Sequence, residues 1–494
     1  MRVDLDKPTC HCGIFGIYGS ANASLHTYYG LHSLQHRGQE ASGIVTRTEN
    51  EHGTSVFHSH KGEGLVSEVF ADQKIFKEIL HGSSAIGHNR YSTTGAANTI
   101  KNIQPFFVHY RMGNLAVAHN GNLTNAKQLR DELVNEGAIF QTTSDTEVIL
   151  HLIARSKLEN QIDQIREALQ RIEGAFCLVI LTDDKLIAAR DPHGFRPLSV
   201  GKLNNAFVVA SETCAFDIIS AKFRREVHPG EIIVIDEEVF ETDKLKSIRI
   251  NDDVVKPKKH CIFEYIYFSR PDSFIFGHNV DKMRRRLGKV LARQHPVRDK
   301  DNEKVIVISV PDSSNTTAIG YQSELEKSGI RSKFEIGLLR SHYIGRTFIQ
   351  PGQEKREVGV KIKFSVVKGV LEGRTIVVVD DSIVRGTTSH QLIHLIREAN
   401  PKEIHLRISS PPIMHPCYYG MDFPSKEELI ANKMNGDVKA IQDYLEVDSL
   451  EYLTIDEMLE AVKEADPDNF CTACFSGNYP IPVDINMNKE MYEL

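Results

Sequence analysis

Two stretches of the chain carry residues whose types and spacing suit chemistry. The first is TIVVVDDSIVRGTTS at 375–389. A run of β-branched residues ends in two adjacent carboxylates, Asp380 and Asp381. In a parallel sheet such a strand delivers them to its carboxyl end, where ligands bind. Beyond them Gly386, Thr387, Thr388 and Ser389 make a small, hydroxyl-rich turn that opens a helix. Its backbone N–H groups and the helix dipole form an anion cradle. Acids beside such a cradle suit a pyrophosphate substrate carrying Mg²⁺, or a ribose whose vicinal hydroxyls bond to the carboxylates. A solvated acidic pair and an N-cap would explain each piece alone, but not their coincidence.

The second stretch begins at Cys12, in CGIFGIYG. An N-terminal cysteine uses its own α-amine, of pKa about 7.7–8.0, as the general base for its thiol. Here that requires removal of residues 1–11 as a propeptide. Four polar, glycine-rich segments interrupt β-like runs nearby: QHRGQEASG at 35–43, GHNRYSTTG at 87–95, AHNGNLTN at 118–125 and TTSDTE at 142–147. Arg90 suits a bidentate clamp on a substrate α-carboxylate, and Asp145 an α-ammonium. The amide of Asn120 and the N–H of Gly121 suit an oxyanion hole. These are the parts needed to hydrolyse the side-chain amide of a free amino acid. His88 and His119 read as hydrogen-bonded strand residues, and Arg37 as structural support.

The elements that must position these residues change character near 240–265. Before it, short β-rich runs alternate with glycine turns, and helical patterns stand out only around 124–136 and 145–172, an α+β half dominated by antiparallel strands. After a polar stretch, strands alternate with helices of 10–15 residues, which means βαβ units and a parallel α/β sheet. The domains expected are a propeptide at 1–11, an amide-hydrolysing domain at 12–245, an α/β domain at 260–440 and a helical C-terminal segment at 441–494. No internal repeat or low-complexity segment interrupts this order.

Composition bounds the partners. The chain has 494 residues, 41% hydrophobic and 25% charged, with a net charge of -7. It therefore lacks the basic excess of a nucleic-acid binder. No apolar run approaches the ~18 residues of a membrane span, and the first residues lack the apolar core of a secretory signal. A cytoplasmic enzyme is expected. Eight cysteines are too few for a disulfide scaffold; Cys177, inside AFCLVIL, reads as packing. Cys471 and Cys474 form CTAC, and Cys261 and Cys417 lie in distant segments. By count alone, four thiolates suit a 4Fe–4S cluster or tetrahedral zinc equally.

The turn at 375–389 resembles the ribose-phosphate signature of type I phosphoribosyltransferases. Taken whole, the chain resembles the glutamine phosphoribosylpyrophosphate amidotransferases, the enzymes of the first committed step of de novo purine synthesis. Glutaminase motifs fill its first half and phosphoribosyltransferase motifs its second, in that family's order; EYIYFSRPDS at 264–273 and YIGRTFIQPGQEKR at 343–356 add to the likeness. The resemblance implies an N-terminal nucleophile (Ntn) hydrolase αββα sandwich followed by a type I phosphoribosyltransferase domain. It implies Cys12 as nucleophile, Asn120 and Gly121 as oxyanion hole, Arg90 and Asp145 as glutamine anchors, and Asp380 and Asp381 as the acid pair. Ser313, in VPDSSN, matches a position associated with Mg²⁺, although Ser314 stands where many relatives have glycine.

The same resemblance decides between the metals. Relatives with a short leader before the catalytic cysteine carry a 4Fe–4S cluster on cysteines matching Cys261, Cys417, Cys471 and Cys474. One cluster and one Mg²⁺ per subunit follow, with glutamine and 5-phosphoribosyl 1-diphosphate as substrates, purine nucleotides as feedback inhibitors and a homo-oligomer, tetramer or dimer, as the assembly. Another glutamine amidotransferase, or a non-catalytic sensor of the same sugar phosphate, are the weaker alternatives. Residues 341–360 contain Arg346, Lys355 and Arg356, which attract a polyanion. They are the expected lid, ordered by the diphosphate substrate and switching on the glutaminase as it closes.

Overall fold

The computed structural model describes residues 12–91, 100–252, 255–341 and 363–483. The leader at 1–11, Arg346 and nearly all of the expected lid lie outside them.

The first half is built on two antiparallel sheets. The seven-stranded sheet runs Lys222–Glu226, Ser199–Leu203, Ala206–Ala210, Gly13–Tyr18, Ser84–Arg90, Ala41–Glu49, Ser55–Glu63. The six-stranded sheet runs Lys246–Arg249, Glu231–Ile235, Leu186–Arg190, Gly174–Thr182, Gly113–Leu123, Phe106–Tyr110. Alternate side chains of each strand face opposite ways. Ile14, Ile86, Ala116, Ala118 and Val179 therefore meet between the sheets. Phe15 and Ile17 instead face outward to Leu31 and Leu34 beside the helix Ala23–Ser33. Leu115, Val117 and Leu178 face the helices Thr146–Arg155 and Gln161–Arg171. Because both faces of the central strands are covered, their sequences are continuously apolar. The result is the αββα sandwich that the resemblance implies.

Two local expectations change. The pattern at 145–172 is two helices, because the non-helical stretch SKLEN at 156–160 interrupts it and Asn160 caps the second by accepting from the N–H groups of Ile162 and Asp163. The helix Ala23–Ser33 was not legible, since its sequence ASLHTYYGLHS hardly separates apolar from polar positions.

In the second half, five strands pair in parallel in the order Ser332–Phe334, Val305–Ser309, Thr375–Asp380, Glu403–Ile408, Ser449–Tyr452. Val305, Val307, Val377 and Val379 face Met283, Leu287 and Tyr321 on the helices Val280–Gln294 and Asn315–Lys327. Ile306, Ile308, Ile376 and Val378 face Leu392, Ile396 and Leu445 on Thr387–Arg397 and Val438–Leu445. The fifth strand lies beyond residue 440, where the sequence pattern ends the α/β unit. Near the boundary of the halves, His260–Cys261 pairs in parallel with Phe470–Cys471, which sets Cys261 beside Cys471.

Candidate active sites

Cys12 sits at the mouth of the strand Gly13–Tyr18 and is 6% exposed. It lines one cavity with Arg90, Tyr91, Asn102, Gln104, His119, Gly121, Ser144 and Asp145. The antiparallel pairing of Gly13 with Asn89 brings the end of Ser84–Arg90, and so Arg90, to the thiol. The Cys12 Sγ lies 3.7 Å from the carbonyl of Tyr91. Burial pushes this thiol up to about 11, although the neighbouring Arg90 guanidinium opposes the rise.

Asp145 stands at the start of the helix Thr146–Arg155. Its Oδ2 accepts the Leu123 N–H at 3.0 Å and its Oδ1 the Thr146 hydroxyl at 3.2 Å, with His119 Nδ1 3.6 Å away. Burial alone would raise its pKa, but His119 and these donors outweigh burial and hold the carboxyl below the ordinary carboxylate range. A fixed anion and the Arg90 guanidinium therefore line one cavity, an arrangement suited to a zwitterionic amino acid.

Gly121 lines the cavity, and only glycine fits there: a Cβ would lie 2.0 Å from the Ala175 carbonyl oxygen. Asn120 is the residue before it on the same strand. Its side chain is fully buried, with Nδ2 3.4 Å from the Ser211 hydroxyl. The sequence brought forward the TTSDTE segment but not Gln104 or Ser211. Gln104 accepts the His119 N–H at 2.7 Å and donates to Thr146 at 3.1 Å. No local pattern marks either residue. His88 and His119 are hydrogen-bonded strand residues, with His88 Nε2 3.1 Å from the His119 carbonyl oxygen. His119 also reaches the cavity wall.

Arg37 is buried beneath this region and pairs with Glu212 and, at 2.7 Å, with Glu264. Glu264, in the segment after the boundary of the halves, also pairs with Arg196 at 3.1 Å. These charges tie the two halves together, and the neighbouring His36 ring and Arg37 guanidinium hold the Glu212 carboxyl far below its ordinary range despite burial.

The second site forms where Thr375–Asp380 ends. Asp380 and Asp381 are both buried. Ser314 donates to Asp380 at 3.0 Å and to Asp381 at 3.3 Å, and the Ser313 hydroxyl bonds to Asp381. Ser382 donates to Asp381 at 2.9 Å. Ser314, which stands where many relatives have glycine, thus joins the two acids. Gly386 precedes the helix Thr387–Arg397 at φ 81°, and a Cβ there would lie 2.3 Å from Ile430 Cδ1. Thr387 is exposed, and Thr388 and Ser389 are half-buried, so the turn opens toward solvent.

The four remaining cysteines of interest line one cavity. Its other walls include Phe195, Phe263, Tyr419 and Phe423, with Arg196 as a charged neighbour. Burial in these apolar surroundings pushes all four thiols up, Cys261 to about 12. Four thiolates could be held together there only beside a cationic group. Among the described residues, no three His, Cys, Asp or Glu side chains converge closely enough to grip a single metal ion. The segment carrying Cys417 also reaches the first site. Tyr418 accepts a hydrogen bond from the Asn122 amide at 2.9 Å, and a Cβ on Gly420 would lie 3.3 Å from the Gly121 carbonyl carbon.

Comparison with known proteins gives one answer. The glutamine amidotransferase domain family matches residues 88–217. Amidophosphoribosyltransferase 1, chloroplastic, of Arabidopsis thaliana is 49% identical, covering 98% of this chain and 81% of the relative. The amidophosphoribosyltransferase of Bacillus subtilis is 48% identical, covering 96% of this chain and 94% of the relative. A solved B. subtilis glutamine phosphoribosylpyrophosphate amidotransferase, complexed with ADP and GMP, superposes with a TM-score of 0.86 at 46% identity, over 97% of this chain and 99% of that one.

Proposed function

Because the chain belongs to the amidophosphoribosyltransferases, we propose that its two sites divide that family's reaction between them. The enzyme transfers the amide nitrogen of glutamine to 5-phosphoribosyl 1-diphosphate, giving 5-phosphoribosylamine, glutamate and diphosphate, the first step of purine synthesis. The observation that carries the assignment of sites is spatial. Cys12, Arg90, Gly121 and Asp145, far apart in sequence, line one cavity, while the acid pair and the glycine turn meet at the carboxyl end of the parallel sheet.

At the first site, Arg90 takes the glutamine α-carboxylate and Asp145 its α-ammonium. The Cys12 sulfur attacks the side-chain carbonyl once its proton has moved to the Cys12 α-amine, which exists only after residues 1–11 are removed. Gly121 N–H and the Asn120 amide hold the oxyanion. The proton passes to the departing nitrogen, ammonia leaves, and water then releases glutamate from the thioester. At the second site, Asp380 and Asp381 hold the ribose hydroxyls, or a metal, and the turn Gly386, Thr387, Thr388 and Ser389 holds the 5′-phosphate. Ammonia forms the new bond at C1 of the ribose as diphosphate leaves.

Hard oxygen donors at Ser313, Asp380 and Asp381 fit Mg²⁺, which when bound neutralises the departing diphosphate. Cys261, Cys417, Cys471 and Cys474 surround a cavity with apolar walls and fit a 4Fe–4S cluster, which when bound joins the C-terminal segment to the domain boundary. Arg346 and the rest of 341–360 serve as the lid. A cytoplasmic homo-oligomer subject to purine-nucleotide feedback completes the reading, and the nucleotides bound to the B. subtilis relative support the feedback. No helix among the described residues is long and apolar enough to cross a membrane.

Intact-mass measurement tests the nucleophile. The active protein is expected to begin at Cys12 and to gain a single adduct there from a glutamine-like electrophile. Active protein that retains residues 1–11, or an adduct on another cysteine, would overturn the assignment.

A further inference from the structure

Ser211 lies between the strand Ala206–Ala210 and the short helix Cys214–Asp217, with no exposed surface. Its hydroxyl oxygen accepts the Ile14 N–H at 3.1 Å and also faces Asn120 Nδ2 at 3.4 Å. Its backbone N–H donates to the Ile14 carbonyl at 3.1 Å. Ser211 thus grips the backbone of Ile14, two residues beyond Cys12, with both its main chain and its side chain. The Asn120 Oδ1 is buried with no hydrogen-bond partner. Among the described residues, the Ser211 hydroxyl is the hydrogen-bond partner of the Asn120 side chain.

The segment holding Ser211 cannot drift. The next residue, Glu212, is buried and accepts from the Ser273 hydroxyl at 2.7 Å and from the Arg270 N–H at 2.9 Å. Both donors belong to the second half of the chain. A carboxamide can turn about its last torsion, and oxyanion stabilisation depends on donors fixed before charge develops.

We propose that Ser211 is a positioning residue for glutamine hydrolysis, holding the Asn120 carboxamide in register with the strand that carries Cys12. One N–H of the amide bonds to Ser211 and the other is left for the oxyanion. This inference rests on the assignment of Asn120 to the oxyanion hole, so its test separates the two.

The experiment is a double-mutant cycle on the full-length processed enzyme, with Asn120→Ala, Ser211→Ala and both together. Glutamine hydrolysis and ammonia-dependent synthesis are measured for each. Ser211→Ala is expected to lower kcat for glutamine about tenfold, because a displaced donor loses much of its effect. The KM for glutamine and the ammonia-dependent rate should not change. Since Ser211 acts through Asn120, the double variant should be no slower than Asn120→Ala. Losses that multiply, or a fall in both activities together, would show a general structural role and overturn the proposal. Asn120→Ala with an undiminished glutamine rate would remove the oxyanion assignment itself, and the proposal with it. If Ser211→Ala does not fold, Ser211→Cys, similar in size but a poor acceptor, serves in the same cycle with the same expected pattern.

Discussion

The two candidate sites are built in opposite ways. The Cys12 cavity, proposed to take glutamine, draws Cys12, Arg90, Gly121 and Asp145 from separate segments of the sandwich, and each is 5–6% exposed or less where a side chain is present. The second site takes its acids and its turn from one continuous stretch, with Asp380 and Asp381 buried but Thr387 open to solvent. The difference follows from the chemistry. Covalent attack on an amide needs donors and nucleophile fixed before the substrate arrives. A polyanion instead is held by backbone N–H groups at a helix start, which need no deep burial. The first site should therefore be fragile to any backbone change, and the second more tolerant.

The largest effect is expected where the sandwich meets the rest of the chain. Arg37→Ala leaves the buried Glu212 and Glu264 short of a cation and should cost about 3 kcal/mol of stability, measured by denaturant unfolding. A loss below about 0.5 kcal/mol would mean that the charges are solvated. Next comes Gly121→Ala, which must displace the Ala175 carbonyl. Glutamine-dependent kcat should fall about 10²–10³-fold, while ammonia-dependent synthesis is kept. Gly386→Ala sharpens the contrast. Its φ of 81° strains alanine by about 1–2 kcal/mol, so the KM for the diphosphate substrate should rise about tenfold with basal glutamine hydrolysis unaltered.

The smallest effect concerns pH. The Asp145 carboxyl is held below its ordinary range in the folded chain. Its ionised form therefore adds stability that is full above about pH 4 and is lost as the pH falls through the lower folded value. The stability gap between the enzyme and Asp145→Asn should narrow on acidification below about pH 4. A gap that stays constant from neutral to acid pH would remove the carboxylate's role.

Much of this division was legible before the fold was known. A strand with both faces buried must be apolar throughout, so KVIVISV and TIVVVDD announced the parallel sheet, and the acids at its end followed. The glutamine site was legible only as scattered motifs, because sequence shows residue types but not which strand ends meet. Ser211 and Gln104 stayed invisible for that reason: each makes buried hydrogen bonds to residues distant in sequence, and an isolated serine or glutamine has no periodicity. The contact of Ser314 with both acids was equally hidden, because it joins segments distant in sequence. The helix Ala23–Ser33 gave no signal because Gly30 lies against Phe15, where a Cβ would be 2.3 Å from the ring. Packing, not amphipathic spacing, holds it.

If one chain holds two chemically separable sites, reciprocal variants will take them apart. Cys12→Ala and the double variant Asp380→Asn with Asp381→Asn are each assayed for glutamine hydrolysis, glutamine-dependent synthesis and ammonia-dependent synthesis. Cys12→Ala should lose both glutamine-dependent rates by more than about 10³-fold and keep synthesis from ammonia. The acid-pair variant should lose synthesis from either nitrogen source and keep basal glutamine hydrolysis. A folded Cys12→Ala enzyme that still uses glutamine, or that loses synthesis from ammonia to the same extent, would contradict the account.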